Sequence, residues 1–186
     1  MTEIITKSFE ILKNSGVILY PTDTIWGIGC SAFDEDAINK IYKIKERSTE
    51  KAFIILVESE KRLQDLVEVP PLAWDLIDLS EKPLTIIYDN PQKLPKNLIG
   101  QDNTIAIRLT KDEFCKKLIT KLNAPLVSTS ANLSGENTAL NFNQINDKIK
   151  KEVDFIVPLK QNEDAIYSGS SIIKLALDGK IKIIRE

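Results

Sequence analysis

Four short polar stretches hold the residue types from which a catalytic site could be assembled. Pro21-Thr22-Asp23-Thr24-Ile25-Trp26-Gly27 follows an apolar run and crowds two hydroxyls, a carboxylate, an indole and a glycine into one turn. Such a turn could hold a small polar substrate through neutral donors and acceptors; alternatively, its Thr and Asp side chains bond their own backbone. Lys45-Glu46-Arg47 closes a helical pattern, with Lys43 and Lys51 nearby and Glu46 and Glu50 partly offsetting them. Two cations one residue apart could bracket phosphate oxygens, where a charge-assisted bond is worth ~1.5–3 kcal/mol. The plainer reading is that they complement a helix dipole for ~0.3–1 kcal/mol. Ser128-Thr129-Ser130-Ala131-Asn132-Leu133-Ser134-Gly135 follows another apolar run. Small hydroxyl residues with exposed amides suit an anion-binding nest, or form a Ser/Thr-rich turn; the Gly-Lys-Ser/Thr ending of a Walker loop is absent. Arg108, after Thr104-Ile105-Ala106-Ile107, could take a carboxylate bidentately or enter an internal ion pair.

The composition removes whole classes of chemistry. Among 186 residues there is no histidine, which excludes Ser-His-Asp and Cys-His catalysis and His-bound zinc. Cys30 and Cys115 are the two cysteines, too few and too distant in sequence for a disulfide framework or a thiolate cluster. Lys plus Arg is 25 against 27 Asp plus Glu, a net charge of -2, so binding of nucleic acid through bulk charge is not expected. The charged first ten residues lack the apolar core of a signal peptide. No run approaches the ~18 apolar residues of a membrane span, and the chain is expected to be cytoplasmic.

These stretches must be held by the elements between them. Ile5, Phe9 and Leu12, followed by Gly16, predict a first helix. Val17 to Tyr20 and Phe53 to Val57 predict buried strands. Asp34 and Ser59 are expected helix caps; Pro70-Pro71 breaks the chain before a helix over 72–79. Leu84 to Tyr88 and Ile105 to Leu109 predict further strands. Thr110 with Glu113 has the spacing of a capping box ahead of Phe114, Leu118 and Leu122. Then follow a strand at Leu126 to Thr129, a helix over 143–150, a strand at Phe155 to Val157, and two strands at Ser171 to Leu175 and Lys180 to Ile184 joined by Asp178-Gly179. Helices interleaved with strands plus a terminal hairpin predict one α/β domain over 1–186, a mixed sheet with flanking helices.

In combination the four stretches resemble the YrdC-domain family of threonylcarbamoyl-AMP synthases, with order and spacing matching from about residue 8 to Arg185. The resemblance implies an open, twisted mixed sheet around a concave, positively lined cavity, in the short form of the family. It implies conversion of L-threonine, bicarbonate or carbon dioxide, and ATP to threonylcarbamoyl-AMP and pyrophosphate. That is the first step of threonylcarbamoyladenosine modification of tRNA. By position, Lys45 and Arg47 would act on the triphosphate and in catalysis, and Ser130, Asn132 and Arg185 would also contact ATP. Thr22, Thr24, Arg108, Ser128 and Ser170 would surround threonine and the carbamate. Mg²⁺ would arrive with ATP, with no dedicated protein metal site. The partners implied are a transferase met transiently and a weak contact with tRNA; no membrane is involved.

The chain departs from the family pattern at Leu79-Ser80-Glu81-Lys82, where an aromatic-Pro-Gly approach is usual; at Ala52, where many members have proline; and near Leu56, where some have histidine. Two other readings stay open at this level. One is a paralogue of the same fold with another carbamoyl or nucleotide activity, and the other is a non-enzymatic RNA-binding module.

Overall fold

The protein is described by a computed structural model that covers residues 1–47 and 53–186. Glu50, Lys51 and Ala52, singled out above, lie outside the described residues.

Local chemistry sets most element boundaries. Helix α1 (Thr2–Lys13) buries Ile5 and Leu12. The chain leaves it through Ser15 at φ 58°, so the left-handed position is the serine. Gly16 is needed for space, because a Cβ there would lie 2.4 Å from Ile11 Cγ2. In α2 (Glu35–Ile44) and α3 (Glu60–Leu66) the Asp34 and Ser59 side chains accept from the amides of Ala37 and Arg62, satisfying exposed first-turn donors. Helix α4 (Pro71–Leu79) begins on proline, whose fixed φ suits a first helical position.

Two expectations are corrected. The cap of α5 (Glu113–Leu122) is Asp112, which accepts from Cys115 N at 3.0 Å. Thr110 accepts instead from Asp112 N at 3.2 Å, one step upstream, so no Thr110/Glu113 box forms. The expected helix over 143–150 is split: Asn141 caps a short 3₁₀ turn at Phe142–Gln144, and Asn146 then caps α6 (Asp147–Glu152). Each asparagine offers its side chain to a nearby amide and restarts the turn.

The strands are β1 (Ile18–Tyr20), β2 (Gly27–Gly29), β3 (Ile54–Val57), β4 (Leu84–Asp89), β5 (Thr104–Leu109), β6 (Leu126–Ser130), β7 (Phe155–Ile156), β8 (Ser171–Leu175) and β9 (Ile181–Arg185). Among the described residues they form one mixed sheet in the order β7-β1-β2-β6-β3-β5-β4-β8-β9. Pairs β1/β7, β3/β5 and β4/β8 are parallel and the others antiparallel.

Strand β2 was not foreseen. Gly-Ile-Gly has no strand periodicity of its own and exists through pairing with β1 on one side and β6 on the other. Gly29 also makes room for Tyr20, whose hydroxyl reaches across β2 to donate to Val127 O at 3.0 Å. A Cβ on Gly29 would stand 2.7 Å from the Tyr20 ring and 2.2 Å from Val127 O.

Helices α1 and α5 pack together, and α5 and α3 cover β3. The buried core runs through β1, β3, β5 and β6 with these helices. No described helix is long and apolar enough to cross a membrane.

Candidate active site

The sheet register assembles the floor of a cavity of about 310 Å³. Ser128, Ile54, Ala106 and Ile87 are successive cross-strand partners on β6, β3, β5 and β4, and all four line it. Along β5 the lining residues are Thr104, Ala106 and Arg108, while Ile105 and Ile107 are buried in the core. Side chains alternate faces along a strand, so the small and polar members of Thr-Ile-Ala-Ile-Arg share one face. That alternation is visible in the sequence and marks Thr104 and Ala106, which are not among the expected site residues, as members of the cavity face.

The turn between β1 and β2 closes one side. Thr22 and Thr24, both buried, line the cavity with Trp26. The Thr22 hydroxyl donates to Ile25 O at 2.8 Å and accepts from Thr24 N at 3.0 Å. Having one proton, it must then accept from the Thr24 hydroxyl 3.0 Å away. The Thr24 hydroxyl, its proton so engaged, can act toward a ligand in the cavity only as an acceptor. The turn is thus both self-bonded and cavity-lining.

Three arginines from three separate segments enter the wall: Arg47 after α2, Arg108 at the end of β5 and Arg185 at the end of β9. No carboxylate is among the described residues lining it. Arg47 lies over the Phe53 ring at 5.2 Å. Arg185 donates to Ser170 O through Nε and Nη2, at 2.9 and 2.7 Å. The Ser170 hydroxyl in turn sits 2.8 Å from Thr85 Oγ1. Burial presses both Arg47 and Arg185 below the ordinary arginine value, and for Arg185 the charge of Arg108 adds to it. An anion entering the cavity relieves that stress, since opposite charge favours the ionised form.

Arg108 is 4% exposed and forms an ion pair with Asp23, Nη2 to Oδ1 at 3.0 Å. The internal ion pair expected as one alternative for Arg108 is formed, and the residue also lines the cavity.

Eight of the ten proposed site residues are brought to this wall: Thr22, Thr24, Arg47, Arg108, Ser128, Ser130, Ser170 and Arg185. Lys45 and Asn132 are not part of it. The Lys45 side chain is buried, and its ammonium donates to the carbonyls of Ser130 at 2.5 Å and Asn132 at 2.6 Å. Its own carbonyl accepts from Ser134 N at 3.0 Å. Burial, reinforced by the charge of Arg47, lowers its pKa to about 7. Glu46, at φ 51°, turns the chain between the two cations, so Lys45 goes under the loop after β6 and Arg47 into the cavity. The Asn132 amide nitrogen donates to Leu133 O and Glu136 O, both at 3.0 Å, and shapes that loop from within. The 79–82 stretch borders a separate hollow near Tyr167, away from this cavity.

The wall can thus hold anions by charge and small polar groups by hydroxyls. Among the described residues no cluster of three or more His, Cys, Asp or Glu is arranged to ligate a metal.

The Sua5/YciO/YrdC family model, described as telomere recombination, matches residues 10–186. A threonylcarbamoyl-AMP synthase of Pseudoalteromonas translucida (strain TAC 125) is 32% identical over 183 residues, 95% of each chain. The crystal structure of E. coli YciO aligns with a TM-score of 0.83 at 26% identity, covering 100% of this chain and 90% of that one. P. abyssi Sua5 complexed with L-threonine aligns with a TM-score of 0.82 at 25% identity over 92% of this chain. This chain spans 50% of the length of that Sua5.

Proposed function

The chain belongs to the Sua5/YciO/YrdC family, and on that premise we propose that it is a threonylcarbamoyl-AMP synthase, a nucleotidyltransferase acting on ATP, L-threonine and bicarbonate or carbon dioxide. The observation that carries this reading is the wall itself: three arginines, no carboxylate among the described lining residues, and hydroxyls from four segments around them. A triphosphate and an amino-acid carboxylate together need that surplus of positive charge. The reaction needs no histidine, consistent with the composition.

In this reading the threonine amine adds to carbon dioxide, forming an N–C bond and releasing a proton. A carbamate oxygen then attacks the α-phosphorus while the bond to the β-phosphate oxygen breaks and pyrophosphate leaves. Such a displacement asks the protein for alignment and charge neutralisation. Arg47 neutralises the phosphates together with the Ser130 to Ser134 loop. Lys45 holds that loop from beneath through Ser130 and Asn132, and Arg185 stands beside the nucleotide. Thr22, Thr24, Ser128 and Ser170 surround threonine and the carbamate, and Arg108 takes the carboxylate. Mg²⁺ enters as part of the nucleotide substrate; a wall with hydroxyls and no carboxylate among its described residues suits an ion held by phosphates and water. The mixed anhydride formed is labile in water, so a transferase that passes the group to tRNA consumes it.

The deciding experiment is pyrophosphate release by the purified chain with ATP, L-threonine and bicarbonate, with mass detection of the adenylate. Release that needs all three, with threonylcarbamoyl-AMP present and serine a poor substitute, is the expected result. Release indifferent to threonine, or absent with fresh Mg²⁺-ATP, overturns the assignment and favours a paralogous activity.

A further inference from the structure

Asp23 lies between the two threonines that line the cavity, yet it is not itself among the lining residues. It borders two smaller hollows of about 170 and 210 Å³. Its carboxylate meets Arg108 of the cavity wall, with Oδ1 3.0 Å from Nη2, while Oδ2 lies 3.4 Å from the Thr110 hydroxyl. The contact with Arg108 is Coulombic, since neither Asp23 Oδ1 nor Arg108 Nε has an aligned hydrogen bond. Arg108 is thus a nearly fully buried guanidinium with a counter-ion behind it and an unsatisfied donor. Buried cations need both charge compensation and acceptors for their protons; Asp23 supplies the first and leaves the second unfilled.

Arg185 in the same wall is different. It is held by the neutral carbonyl of Ser170 and keeps its full charge toward the cavity. Among the described residues no carboxylate pairs with Arg185, so the two arginines grade the cavity, with charge uncompensated by any described residue at Arg185 and compensated charge at Arg108. A dianionic phosphate gains most at the first, whereas a singly charged carboxylate matches the second, where the fork geometry of guanidinium still supplies paired donors.

We propose that Asp23 is a positioning and specificity-determining residue. It fixes Arg108 from behind so that its remaining donors receive a carboxylate from the cavity, and it cancels the charge that would otherwise draw phosphate to the same place. This rests on the synthase reading, for which the carboxylate is that of L-threonine.

The test is equilibrium titration of the full chain and its Asp23→Asn and Asp23→Glu variants with L-threonine, L-threoninol, inorganic phosphate and ATP. In Asp23→Asn, threonine affinity is expected to fall at least about tenfold, the scale of one charge-assisted bond. Threoninol, which lacks the carboxylate, and ATP stay within about twofold, and phosphate now competes with threonine. Asp23→Glu keeps the charge but shifts the guanidinium, so threonine weakens while phosphate remains excluded; this variant also decides the matter should the asparagine variant not fold. Unchanged threonine affinity in both variants overturns the proposal, as does equal weakening of threonine and ATP, the signature of a merely structural role. A wild-type chain that binds ATP and no threonine overturns the synthase reading itself, and this assignment with it.

Discussion

The ammonium of Lys45 donates to the backbone carbonyl of Asn132 at 2.6 Å, joining the C-terminal end of α2 to the loop that follows β6. With the bond to Ser130 O and the return bond from Ser134 N to Lys45 O, the helix end and the loop form one unit. Arg47, two residues on, points into the cavity. Two cations that look equivalent in sequence thus sit in different surroundings, and the consequence is open to measurement.

Arg47→Ala is expected to fold and to lose turnover by roughly 10²–10³, the loss typical when one charge-stabilising group is removed. Lys45→Met is expected to lose activity as well, and in addition to loosen residues 130–134. Hydrogen exchange at the amides of Asn132 and Ser134 separates the two, accelerating in the Lys45 variant and not in the Arg47 variant.

Lys45 also predicts a pH dependence of stability. Its folded-state pKa is lowered to about 7, so between that value and the ordinary 10.5 the unfolded chain binds a proton that the folded chain does not. Stability from this group therefore rises as pH increases through that window, and is flat below it. Thermal unfolding of wild type and Lys45→Met over the same pH series checks the sign: the slope should be smaller in the variant.

Arg108→Lys is expected to raise the threonine KM, since an ammonium lacks the planar fork that grips a carboxylate. The ATP KM should hardly move. Steady-state kinetics with each substrate varied in turn distinguish this from a change in which the ATP KM alone rises, which would transfer Arg108 to the nucleotide.

Gly29→Ala is expected to destabilise by about 1–3 kcal/mol, the usual cost of overpacking. Its methyl would meet the Tyr20 ring and the Val127 carbonyl at distances no relaxed contact allows. Denaturant unfolding monitored alongside Gly135→Ala tests the steric argument. At Gly135 nothing lies within 4 Å of an added Cβ and the cost is that of φ 88° alone.

Helix boundaries were legible in the sequence because capping is local. Asp34 and Ser59 reach an amide three residues away, whatever the rest of the fold does. The apolar runs that became β1 and β3 were legible for a similar reason: strands buried on both faces read as continuous apolar runs. The same locality accounts for the errors. Asp112 and Thr110 compete for the same helix start, and Asn141 and Asn146 each open a turn of their own. Strand β2 has no local pattern and was invisible until both its neighbours were in place.

For the site, the residue types and their order along the chain were enough to point to anion chemistry without histidine. Only the tertiary structure decided which residues face one another. The row Ser128, Ile54, Ala106, Ile87 exists through strand register, a property of pairing between segments far apart in sequence. The division of labour between Lys45 and Arg47 depends on one left-handed residue, Glu46, and on a loop some 85 residues away that takes the buried ammonium. The coupling of Asp23 to Arg108 has the same origin. An ion pair is strong where burial lowers the dielectric, and burial is conferred by the assembled sheet rather than by either segment alone.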